Sequence, residues 1–179
     1  MKDTAQHYGG ISRFNHWIGA LVVIAMLAVG LYFGGLPRGD EKSFLRGMHV
    51  SFGGLLFLFL IFRVFWRVFS KSPDPVEQPT PLKLITKVVH WVLLLCVLIM
   101  AVSGPWIVWT TGNGINVFDI FTIPSPIERM QELHSNLEVV HEYTAQVLLY
   151  TLILHVLAGL KHQFIDKDNL LSRMVKKLR

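Results

Sequence analysis

The last long apolar stretch of the chain carries histidines on a seven-residue grid, at His134, His141, His155 and His162, with Leu148 filling the remaining place. Seven residues of α-helix fall only about 20° short of two turns, so these side chains line one face. Imidazole offers a metal a lone pair and exchanges a proton near neutral pH. Ionisable groups within an apolar segment face a bundle interior or a cofactor, so an ordered row of them marks a functional face. Earlier apolar stretches add His16 and His49. Gly30 follows His16, and Arg63 follows His49, by 14 residues, which is near four turns and returns each to the face of its histidine.

Something must hold these residues at fixed depths. The 179 residues are 52% hydrophobic and 16% charged, with a single cysteine, Cys96, inside an apolar run. That balance is a membrane protein's, and it leaves neither an intrachain disulfide nor a thiolate metal cluster. Four stretches, residues 14–34, 49–69, 84–109 and 138–164, are long enough to cross about 30 Å of hydrocarbon. The expected fold is all-α: one domain over residues 1–179, a bundle of four transmembrane helices. With four spans, both tails and the 72–81 linker share a side. That side holds thirteen of the 17 Lys and Arg residues, against Arg38, Lys42, Arg46 and Arg129 on the other. The positive-inside rule then puts both termini in the cytoplasm. The net charge of +5 follows from this asymmetry and implies lipid contact, not nucleic acid.

The depths of the histidines follow. His16 lies near the cytoplasmic end of the first span and His155 near that of the fourth. His49 and His141 lie at the outer edge, about 21 Å away along the helices. Facing imidazoles at each level are what two six-coordinate b haems require. Zinc or copper would need its ligands converging on one point, which pairs at two depths do not provide. A flat macrocycle also needs room. Four residues after the chosen histidines stand Ala20, Gly53, Ala145 and Gly159, all small, whereas the other histidines checked are followed by Ile11, Leu94, Glu138 and Asp166. Gly30 leaves space at the outer level. Arg63, and Arg13 beside the first span, are candidates to meet haem propionates. His90 and His134 are read as structural, Pro105 as a kink in the third span, and residues 110–136 as an outer lid or docking segment.

The four-span pattern resembles the bacterial cytochrome b561 family. So do the Phe14-Asn15-His16-Trp17 opening, Met48-His49-Val50-Ser51, and the run from Lys161-His162-Gln163-Phe164 to Lys167-Asp168-Asn169. The likeness spans essentially the whole chain, and the family's four axial histidines fall on His16, His49, His141 and His155. It implies a di-haem carrier linked to ubiquinone, with one branch oxidising superoxide at the outer face. His162, with Lys161 beside it, then becomes the candidate to meet a quinone. The outer side carries more acids than bases, which gives superoxide no overall electrostatic steering. A membrane-anchor cytochrome b subunit, passing electrons between the quinone pool and a periplasmic redox partner, is the alternative expectation.

Overall fold

The computed structural model describes residues 3–75, 77–168 and 170–175. Lys2, Lys176, Lys177 and Arg179 of the basic count, and Asn169 of the carboxy-terminal motif, lie outside them. Four long helices dominate: α1 (Gly10–Gly35), α2 (Asp40–Phe69), α3 (Thr80–Trp109) and α4 (Gln131–Lys161). All are long and apolar enough to cross a membrane. Between α3 and α4 lies a two-stranded hairpin, β1 (Ile115–Val117) and β2 (Phe121–Ile123); α4 runs into a π-helical turn, His162–Asp166, and a short α5 (Ser172–Val175) follows.

The helices overrun the apolar windows expected from sequence. α2 starts at Asp40, not at residue 49, with Asp40 and Glu41 in its first turn, where carboxylates favour the positive end of the helix dipole. α4 likewise starts at Gln131, with Glu132 in its first turn. α3 begins at Thr80 with proline at its start, so the proline linker ends at Pro79. Pro105 lies within α3, which continues to Trp109.

Helices adjacent in sequence pack against each other, whereas α1 and α4 barely touch. The core sits midway along the bundle, where Val23, Leu27, Val64, Cys96, Val97, Ala145 and Leu148 pack together. Leu148, the one apolar residue of the grid, is 3% exposed. The outward faces carry a belt of exposed Leu, Ile, Val and Phe, as a lipid-facing surface should.

The hairpin corrects the purely helical expectation. Ile115 and Val117 are buried, and β1 lies across α2 where Gly54 leaves room for it. Its turn is closed by the Ile120 N–H donating to the Val117 carbonyl at 3.0 Å, with Phe118 and Asp119 both in the left-handed region at φ 53° and 57°. Asn116 Nδ2 donates to Asp119 Oδ1 at 2.6 Å, and Asp119 N–H donates back to Asn116 Oδ1 at 2.8 Å, which holds that conformation. Ser51 Oγ donates to the Asn116 carbonyl and accepts from the Phe118 N–H, tying the hairpin to α2.

At the opposite end the segment before α1, the α2–α3 linker and α5 meet. Trp17 Nε1 donates to the Met174 carbonyl at 3.0 Å, Arg173 Nη1 to the Asp74 carbonyl at 2.9 Å, and the Asp74 N–H to the Ala5 carbonyl at 2.8 Å. Below, this is the terminal end of the bundle and the other is the hairpin end.

Candidate functional site

Two histidine pairs form across the space between α4 and the α1–α2 pair. At the terminal level the rings of His16 and His155 have their centres 6.3 Å apart, with planes crossed at 63°. At the hairpin level His49 and His141 lie 6.5 Å apart, crossed at 85°. Helix geometry explains the pairing. His141 and His155 share one face of α4, while His16 and His49 come from antiparallel neighbours, which puts them at opposite ends. Two imidazoles on one metal, with metal–nitrogen bonds of roughly 2 Å on either side, have ring centres about 6 Å apart. Both pairs have a separation at which the two rings could hold one metal ion between them, and α1 barely touches α4.

His90 also reaches the terminal level, with its ring centre 5.4 Å from that of His155. This separation is shorter than either facing pair. The two grid positions outside the pairs have local partners. His134 Nδ1 donates to the Ile107 carbonyl at 3.0 Å and lies 3.1 Å from Thr110 Oγ1, while its Nε2 faces Glu138 at 3.2 Å. This ring docks the start of α4 onto the end of α3. His162 has both ring nitrogens engaged. The Gln78 amide donates to Nε2 at 3.2 Å, which leaves the proton on Nδ1 to donate to Asp168 at 2.5 Å. Lys161 pairs with Asp166 in the π-helical turn. Burial disfavours the charged Asp168, but the Leu170 N–H and His162 outweigh it and hold that carboxyl below its ordinary range.

Two arginines near the terminal level are short of anions. Arg63 lies over Gly19, where a Cβ would collide with its side chain, and its buried Nε has no partner. Arg13 has a buried Nε in the same condition, and its Nη1 reaches the Val175 carbonyl at 3.5 Å. Among the described residues neither has an ion-pair partner. A buried guanidinium edge without an acceptor is costly, and an anionic group at this level would satisfy it.

The small residues are of unequal consequence. A Cβ on Gly30 would come within 3.1 Å of His49 Cε1, so Gly30 lets that ring lie against α1. Gly53 faces Met26 at ordinary contact distance, and Gly159 has only Leu171 near it, at 4.0 Å. Neither touches a candidate ligand. Sequence reasoning missed Gly19, which gives Arg63 its bed, and Gly54, which admits β1. It also missed Ser103 and Gly104, on which His141 rests. Ser103 Oγ is 2.7 Å from His141 Nδ1, and a Cβ on Gly104 would lie 3.6 Å from His141 Cε1. The Ser-Gly pair is visible in the apolar span, but nothing in the sequence ties it to His141.

An apolar four-helix bundle presenting imidazoles in facing pairs has the architecture of a membrane cytochrome. The chain belongs to the prokaryotic cytochrome b561 family, whose model matches residues 7–177. It is 33% identical to cytochrome b561 homolog 2 of Escherichia coli K12, covering 98% of this chain and 94% of that one. It is 27% identical to a probable superoxide oxidase, CybB, of Yersinia pestis, over 92% of this chain and 93% of the relative. Cytochrome b561 homolog 1 of E. coli K12 is 24% identical over 90% and 93% of the two chains. Members of the family are integral membrane proteins that bind haem b and transfer electrons.

Proposed function

We propose that the protein is a single-domain di-haem electron carrier of the inner membrane, with His16 and His155 holding one haem b and His49 and His141 the other. The observation that carries this reading is the matched spacing of the two pairs, 6.3 and 6.5 Å. The orphaned guanidinium edges of Arg63 and Arg13 support it, since haem propionates supply the missing acceptors. Haem b contributes one-electron transfer at each level. The concentration of bases at the terminal end supports a cytoplasmic location for both termini.

The donor is assigned to the hairpin end and the acceptor, ubiquinone, to the terminal end. The name of the CybB relative supports superoxide as donor. Two superoxide anions each lose one electron and leave as O2, while one ubiquinone gains two electrons and two protons to become the quinol. The chain's own residues supply the proton path. A quinone carbonyl in place of the Gln78 amide would accept from His162 once the ring also carries a proton on Nε2, with Nδ1–H still donating to Asp168, whose carboxylate orients the ring and balances the imidazolium charge. Lys161, held by Asp166, stands beside it.

Rapid mixing of purified protein with superoxide, followed by the reduced haem band with and without ubiquinone, tests this reading. Reduction by superoxide and reoxidation by quinone are expected, with His162→Ala slowing only the second phase. A haem content of one per chain, or no response to superoxide, overturns it. One feature favours a second reading, that of an anchor subunit with a periplasmic redox partner: the hairpin leaves Ile120 79% and Phe121 50% exposed. Stoichiometric co-purification of a redox protein that is lost on Ile120→Asp would establish that alternative.

A further inference from the structure

We propose that Ser103 and Gly104 of α3 form a positioning seat for His141 that sets the potential of the hairpin-level haem apart from that of the terminal-level haem. The inference rests on the ligand assignment proposed above. Ser103 is 3% exposed, and its hydroxyl oxygen lies 2.7 Å from His141 Nδ1. A neutral imidazole has one N–H. Coordination through Nε2 uses that nitrogen's lone pair, so the proton stays on Nδ1 and donates to Ser103 Oγ. Gly104 lies beside the ring edge, where a Cβ would stand 3.6 Å from Cε1, at ordinary contact distance. The hydrogen bond fixes the tautomer and holds the rotation of the ring from α3, although α3 supplies none of the four assigned ligands.

None of the other three assigned ligands has a side-chain hydrogen bond to its ring among the described residues, and His49 has only the Met26 backbone within reach. His49 Nδ1 is buried without a formed hydrogen bond. His16 and His155 have ring neighbours, Trp17 and His90, and the Arg63 guanidinium within electrostatic reach. The two levels are therefore tuned by different means. A donated Nδ1–H makes the imidazole a more basic ligand, which favours the oxidised metal and lowers its midpoint. A desolvated guanidinium favours the reduced, more negative state and raises it. Both effects act in one sense: they make the hairpin level the weaker electron holder and the terminal level the stronger. Electrons then run downhill from the outer donor towards the quinone end.

The test is a redox titration of full-length, haem-loaded protein, with low-spin electron paramagnetic resonance of the oxidised form. Ser103→Ala is expected to retain both haems and to raise one midpoint, while shifting the g values of one haem and leaving the other unmoved. Ser103→Cys fills the same space with a weaker acceptor and is expected to give a smaller shift in the same direction, which separates hydrogen bonding from packing. If Ser103→Ala holds haem poorly, Ser103→Cys carries the test alone. His141→Ala should delete the wave that Ser103 moves. Two unshifted midpoints and unchanged g values in whichever Ser103 variant retains both haems overturn the inference. Full haem content in His141→Ala instead overturns the ligand assignment beneath it.

Discussion

Arg63 has a buried guanidinium edge with no acceptor among the described residues. Its side chain lies flat over Gly19, its Nε is buried, and no carboxylate among the described residues answers it. A cation so placed stabilises an added electron nearby. Arg63→Gln is therefore expected to lower the terminal-level midpoint and to speed haem loss when the protein is diluted into detergent, both readable by redox titration and haem absorbance. An unchanged midpoint would remove Arg63 from the site. His90 makes the opposite case. At 5.4 Å from His155 its ring is too close for a metal-centred plane between the two. His90→Ala should hence keep two haems per chain, measured as haem stoichiometry, whereas His16→Ala should lose one. The four facing histidines were legible in the sequence because helical period converts spacing directly into face and depth. Ser103 and Gly19 were not, because their importance comes from what another helix lays against them. A serine or glycine in an apolar span is equally compatible with bland packing.

Among the elements, the helices were legible and the hairpin was not, for a physical reason in each case. Hydropathy marks where a helix is apolar, and it located all four. It cannot mark where a helix stops in water, so α2 and α4 began 9 and 7 residues earlier than their apolar windows. The hairpin strands are three residues each, and the turn puts Phe118 and Asp119 in the left-handed region without glycine at either place. Side-chain bonds between Asn116 and Asp119 stabilise it instead, so the turn carries no glycine signature. Gly54 is the contact on which the hairpin depends. A Cβ there would lie 2.5 Å from Ile115 Cγ2, inside hard contact. Gly54→Val should displace β1 from α2 at a cost of about 1–3 kcal/mol, typical of overpacking. A fall in the thermal midpoint of the haem-loaded protein in detergent checks it; a rise would mean the hairpin moves aside freely.

For the molecule as a whole, the apolar middle separates two ends, and the terminal end is closed by the segment before α1, the α2–α3 linker and α5. Trp17 and Arg173 are tied to backbone carbonyls of Met174 and Asp74, and His162 is tied through Asp168 to the segment leading into α5. The closure has a pH dependence whose sign follows from Asp168. Its carboxyl is held below the ordinary value of 3.8, since the Leu170 N–H and His162 outweigh the burial that opposes them. A group depressed in the folded state contributes stability above its unfolded value and loses it as pH falls through the folded one. The strap should thus be closed at neutral pH and loosen only below the usual carboxylate range. The Trp17 indole N–H, which donates to Met174, reports this directly as a resonance in detergent micelles. Its shift should stay constant from neutral pH down to the carboxylate range, then move towards the value it has in Asp168→Asn at neutral pH. Movement that begins well above that range, or an Asp168→Asn shift equal to the parent's, would mean that Asp168 does not hold the strap. If Asp168 does hold it, Asp168→Asn should also slow quinone-dependent reoxidation at neutral pH with reduction by the donor unchanged, because the residue that closes this end is the one that orients His162.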